Sequence, residues 1–143
     1  MGIKQSDLIT PLASGPSPLN PTGKPLYMKV FQVPRTMTAS TLLAVLPAHA
    51  SITNIRILAG VNSNAGTSAS VTITVANNTG TFSTGSANVL TLGNTTSDLS
   101  MTNLPNIEPL PLLGDIKISA VYAETGAASS TGGPWNFVVI YTA

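Results

Sequence analysis

The chain has 143 residues, 43% of them hydrophobic and only 8% charged, with six Lys plus Arg against five Asp plus Glu. A net charge of +1 without a basic cluster argues against a protein that tracks nucleic-acid phosphates. With no Cys and one His, the sequence also excludes disulfides, thiolate chemistry and a multi-His metal centre.

Solubility must come from uncharged polar groups, because Ser and Thr together number 34 and Asn 11. Residues 57–97 carry no charge, yet Thr, Asn, Ser and Gly interrupt them throughout, so no stretch reads as a membrane helix. Residues 1–7 lack the apolar core of an export signal. Gly2 and Ser6 loosely fit a myristoylation pattern, but no polybasic stretch follows to supply a second anchor. The expectation is therefore a chain that binds neither nucleic acid nor membrane.

Residues 1–25 hold five of the eleven prolines, Pro11, Pro16, Pro18, Pro21 and Pro25. Proline lacks the backbone donor and drives its predecessor into extended geometry. Ser14-Gly15-Pro16-Ser17-Pro18 and Asn20-Pro21-Thr22-Gly23 are turn or polyproline signals. Neither a helix nor an inner strand fits here. Two readings remain, a disordered tail or an extended arm ordered by packing on a neighbour; Leu8, Ile9, Leu12 and Leu19 give the segment apolar anchors that a solvated tail would lack, so the arm is expected.

Residues 26–143 read as one β domain. Runs rich in β-branched and aromatic residues occur at 26–33, 52–58, 71–76, 81–82, 87–92, 116–122 and 135–142. Residues 38–46 admit a helical turn or a strand, with Pro47 ending either. Asn77-Asn78-Thr79-Gly80 is a hairpin connection, and residues 60–66, 93–96 and 126–134 are turn-rich spacers. Seven to nine short strands without helix signals predict an all-β antiparallel sandwich or jelly roll with an extended Pro-rich N-terminal arm. Phe137-Val138-Val139-Ile140-Tyr141 is apolar on both faces, which suits a central strand or one whose outer face meets another subunit.

Chemistry-bearing patterns are sparse. The spacing of Asp7, Asp98, Glu108, Asp115 and Glu124 places no carboxylate pair for glycoside hydrolysis. His49 has no G-x-S-x-G partner, and no calcium-loop pattern occurs. The two sequons, at Asn77 and Asn94, matter only in a eukaryotic secretory chain. No enzyme and no cofactor are expected. Tyr122 and Trp135 are candidates for an exposed platform that stacks on a sugar, against a role for Trp135 in closing one end of the core.

Tyr122-Ala123-Glu124-Thr125-Gly126, Ser130-Thr131-Gly132-Gly133-Pro134-Trp135 and Val138-Val139-Ile140-Tyr141 stand together near the C-terminus. With Ile52-Thr53-Asn54-Ile55 and Asn64-Ala65-Gly66-Thr67-Ser68-Ala69, they make residues 48–143 resemble small virion proteins of tailed bacteriophages. Some of these are capsid decoration, or cement, proteins with β-sandwich folds. The resemblance implies a structural protein on the capsid surface of a virion, with the major capsid protein and further copies of itself, as a homotrimer, for partners. It carries over no catalytic residues. The alternative is a carbohydrate- or receptor-binding module of a head fibre or tail.

Overall fold

A computed structural model describes residues 25–48, 50–78, 80–102 and 114–142. They form eight strands: β1 (Leu26–Val33), β2 (Thr41–Leu46), β3 (Ser51–Leu58), β4 (Ser68–Asn77), β5 (Gly80–Asn88), β6 (Ser97–Asp98), β7 (Ile116–Thr125) and β8 (Trp135–Thr142).

Alternation explains why these segments are strands. In β4, Ala69, Val71, Ile73 and Val75 are buried, while Ser70, Thr72 and Thr74 between them are not. In β7, Ile116, Ile118, Ala120 and Tyr122 are buried and Lys117 and Ser119 are not. A period of two puts each set on one face of a pleated strand. Burying an Ile or Val side chain contributes about 1.5–3 kcal/mol, so register is strongly specified wherever such a set meets the core.

The strands make two antiparallel sheets, in the orders β1-β8-β3-β6 and β2-β7-β4-β5. The pairs β1–β8, β2–β7, β3–β6 and β4–β5 nest inside one another along the chain. That nesting is an antiparallel ribbon rolled into two facing sheets, the jelly-roll arrangement of a β-sandwich. Between the sheets lies one apolar core, in which Val33, Leu46, Ile55, Ile73, Ile118 and Val139 are fully buried.

Several details depart from the simple alternation. Ile52 and Ile55 both face the core although three residues separate them, because a bulge lies between Ile52 and Asn54. A second bulge, between Leu42 and Ala44, adjusts β2, which is a strand and not a helical turn. The hairpin at Asn77-Asn78-Thr79-Gly80 joins β4 to β5 with Asn77 opposite Gly80. Residues 81–82 and 87–92, expected as two strands, are not two. A single β5 ends at Asn88, whose side-chain oxygen accepts the Leu90 and Thr91 N–H groups and turns the chain there. Sequence also gave no warning of the two-residue β6.

Candidate functional surface

The loops after β1, β3, β5 and β7 meet at one end of the sandwich. Asn64 Oδ1 accepts the Ser130 and Thr131 N–H groups, and Asn62 Oδ1 accepts that of Asn94. Backbone bonds from Gly60 to Gly93, Gly66 to Ala127 and Gly133 to Val61 lace the same loops together. Gly93 is required by close approach: a Cβ there would stand 2.8 Å from Trp135 Nε1 and 2.8 Å from the Val89 carbonyl oxygen.

Trp135 and Tyr122 close the core at this end. Their relative exposures are 0% and 2%, and their rings stack across the two sheets at 5.3 Å between centroids. The indole Nε1 donates to the Val61 carbonyl at 2.9 Å. A sugar platform needs an exposed aromatic face, and neither ring has one. The expectation of a ligand platform at these two residues is therefore corrected to a structural one: each ring is the other's stacking partner.

The Tyr122 hydroxyl anchors a network that the sequence did not reveal. It donates to Glu124 Oε2 at 2.5 Å and lies 2.9 Å from Ser63 Oγ. A phenol has one proton to give, so Ser63 donates to Tyr122 and accepts from the Ala65 N–H. Glu124 Oε1 accepts the Ser129 N–H at 3.1 Å, and Arg35 Nη1 donates to the Ser129 carbonyl at 2.9 Å. Hydrogen bonds from Ser129 first, then from Tyr122, with the Arg35 charge behind them, hold the Glu124 carboxyl below its ordinary pKa. These bonds tie the loops after β1, β3 and β7 to one another and to β7, and the Ser63 hydroxyl, buried and engaged on both sides, has no free face for a substrate. The Tyr-x-Glu spacing, which puts both side chains on one side of a strand, is the signal that points to it.

The flank formed by β5 and β6 holds a depression of about 200 Å³ lined by Ile57, Ala87, Asn88, Leu92, Asp98 and Leu99 among others. Two of its polar groups, on Asp98 and Asn88, are committed internally. Asp98 accepts from Asn54 Nδ2 and pairs with Arg56 at 2.8 Å, and these contacts, the Asn54 bond foremost, hold its carboxyl below the ordinary value. Asn88 Oδ1 serves the turn after β5. Among the described residues, no group of three or more His, Cys, Asp or Glu gathers in a way that could hold a metal ion.

The outer faces of the two sheets differ. On β4, β5 and β7 the outward positions include Ser70, Thr72, Thr74, Thr84, Ser86 and Ser119, beside Lys117, Val121 and Ala123, with the Thr72 and Ser86 hydroxyls 2.8 Å apart. This face is hydroxyl-bearing and suited to water. On the other sheet, Met28 and Val30 of β1 stand beside Ile140 and Val138 of β8, and the charged pair Arg56–Asp98 is confined to β3 and β6. β8 is thus central, flanked by β1 and β3; Val138 is buried between its neighbours and Ile140 is half-buried.

The exposed apolar side chains are concentrated on one flank. Among the described residues eight large ones are exposed, and Leu26, Tyr27, Met28, Val30, Leu42 and Val45 all lie on β1 and β2. Those strands are the edges of their respective sheets and lie against each other. Met28 is 71% exposed and Val30 60%. Leu8, Ile9, Leu12 and Leu19, the expected arm anchors, lie outside the described residues, as do His49 and Glu108.

Fold and surface together define a jelly-roll β-sandwich with one apolar flank. No protein-family model matches the chain, and no curated protein and no solved structure matches it.

Proposed function

We propose that the chain is a structural protein of a phage virion, a capsid decoration or cement protein that stabilises the head by bridging capsid subunits without a chemical step. The observation that carries this reading is the β1–β2 flank. Six exposed apolar side chains stand on two edge strands at the same side of the sandwich, a concentration of the kind that marks a protein contact. The resemblance of residues 48–143 to small virion proteins of tailed phages supplies the assembly. Repeated weak contacts on a lattice gain by multivalency, and the hydroxyl-bearing face of β4 and β5 suits the side turned to solvent. In this reading the partners are the major capsid protein and further copies of the chain, in a homotrimer that matches a threefold lattice position.

The alternative, a carbohydrate-binding module built on Trp135 and Tyr122, loses its platform to the burial of both rings. Deletion of residues 2–22 tests the proposal. The shortened chain is expected to fold and to lose binding to capsids in cosedimentation. Binding equal to that of the full chain would remove the arm from the account.

A further inference from the structure

β5 and β6 end their sheets on the side away from β1 and β2, and the chain crosses from one sheet to the other at residues 98–102. At the far end of this crossing the Thr102 N–H donates to the Thr84 carbonyl at 2.9 Å, and the Thr84 N–H donates to Thr102 Oγ1 at 3.0 Å. Continued as an antiparallel ladder, that register would set Ser100 opposite Ser86 and Asp98 opposite Asn88. No backbone bond joins those residues, because the near end is held by the other sheet. There Ser97 and Asp98 pair with Ile57 and Arg56, and the Leu99 N–H donates to the Ile55 carbonyl. The depression of about 200 Å³ opens where the two edges part.

Its walls leave hydrogen-bonding groups unused. Alternate residues of a strand turn their backbone groups to the same side. The Ser86 N–H and carbonyl therefore point the same way as those of Thr84, into the gap, where no described residue meets them. Asp98 takes its bonds from Asn54 and Arg56 on Oδ1, which leaves Oδ2. Asn88 gives Oδ1 to the Leu90 and Thr91 N–H groups, which leaves Nδ2. The Ser97 and Ser100 hydroxyls have no partner among the described residues. The floor is apolar: Ile57, Ala87 and Leu99 are buried, and Leu92 stands exposed at the rim.

We infer that this depression is a binding site for a neutral monosaccharide. The free groups mix donors with acceptors around one small space. A hydroxyl both donates and accepts, an ammonium only donates, and a carboxylate only accepts. A ligand bearing several hydroxyls satisfies the set, and a simple ion does not. Arg56, 2.8 Å from Asp98, compensates the carboxylate charge and removes its pull on a cation. At roughly 30 Å³ for each water, the space is that of about seven waters. It is smaller than the roughly 300–1,000 Å³ of sites for larger ligands. One sugar ring fits that room, with its C–H face on Leu92 and Leu99 and its hydroxyls on Ser86, Asn88 and Asp98. No aromatic ring lines the depression, so the affinity is millimolar.

The site goes beyond the virion reading and does not depend on it. It lies on the side of the sandwich that stays open when the β1–β2 flank is covered. A chain absent from virions would refute the proposed function and leave this inference standing.

The test is a titration of the full-length, isotope-labelled chain with glucose, galactose and mannose in turn, followed by amide chemical shifts. At least one of the three is expected to give saturating shifts centred on Ser86, Asn88, Leu92 and residues 97–100. Asn88→Asp keeps the oxygen that caps the turn and exchanges the free donor for an acceptor. Asp98→Asn removes the charged acceptor. Each is expected to weaken binding of that sugar about tenfold. Both change exposed side chains, so amide spectra away from the site should remain those of the parent. Glycerol, which has hydroxyls without the ring, is expected to bind at least about tenfold more weakly, and butylammonium and acetate are expected to give no saturating shift. Absence of saturating shifts with all three sugars would overturn the inference. So would shifts centred elsewhere, affinity unchanged in both variants, or binding of glycerol, butylammonium or acetate here as tight as that of the sugar.

Discussion

Replacing Trp135 by alanine separates the structural role of the ring from a binding role. The side chain is fully buried, stacks on Tyr122 at 5.3 Å and donates to the Val61 carbonyl at 2.9 Å. Truncating a buried Trp to Ala costs about 3–5 kcal/mol, against a total stability of roughly 5–15 kcal/mol. At roughly 2–4 °C per kcal/mol for a domain near this size, the midpoint falls by roughly 6–20 °C. Trp135→Phe keeps the stack and loses the indole bond. Val61 O still accepts the Gly133 N–H, so no carbonyl is orphaned and the cost is about 1–2 kcal/mol. Urea unfolding followed by far-UV circular dichroism gives both numbers, with the slope held constant as the check on two-state behaviour. Trp135 is the single tryptophan, so its fluorescence independently reports burial in the unsubstituted chain. A Trp135→Ala chain within about 0.5 kcal/mol of the parent, combined with lost glycan binding, would refute the structural assignment.

Three further outcomes follow from the same contacts. Glu124 has its pKa lowered in the fold, so its contribution to stability is present above the unfolded value and is lost as pH falls through the folded one. Glu124→Gln should therefore be destabilising at pH 7, with the gap to the parent in urea midpoints closing as pH falls through the folded-state value; a gap that stays constant as the solution is acidified would contradict this. Gly93→Ala forces a methyl against Trp135 Nε1 and the Val89 carbonyl, and a loss of about 1–3 kcal/mol is expected in thermal unfolding; an unchanged midpoint would show that the loop end yields freely. Met28→Thr with Val30→Thr changes exposed positions, so stability should move by less than about 0.5 kcal/mol per site, while self-association measured by sedimentation falls. Unaltered association would remove those side chains from the contact.

Much of the fold is legible in the sequence because the two-residue period survives wherever a strand has one wet face. β1 and β8 fall within the expected bounds, β1 set between Pro25 and Pro34 and β8 preceded by Gly133-Pro134. What escapes is set by longer-range packing. Ser83-Thr84-Gly85-Ser86 has no apolar pattern, yet it is the middle of β5, where Gly85 makes room for Met101: a Cβ would stand 2.3 Å from the methionine sulfur. Val89 and Leu90 look like strand, but the Asn88 side chain caps a turn there. The apolar residues of the flank are visible in sequence, and their convergence is not, because β1 and β2 become neighbouring edges only once the ribbon has rolled up. The low charge content resolves in the same way. The outer face of β4 and β5 is lined by Thr and Ser hydroxyls, and most of the large apolar side chains left exposed stand on the edge strands β1 and β2.

Imaging the purified virion that carries this chain tests the central claim most directly. The account predicts jelly-roll density on the outside of the head at threefold positions, with the β1–β2 flank in contact with the shell or a second copy. Particles that lack the chain, or density in which Met28 and Val30 face solvent while the hydroxyl-bearing sheet meets the shell, would contradict it.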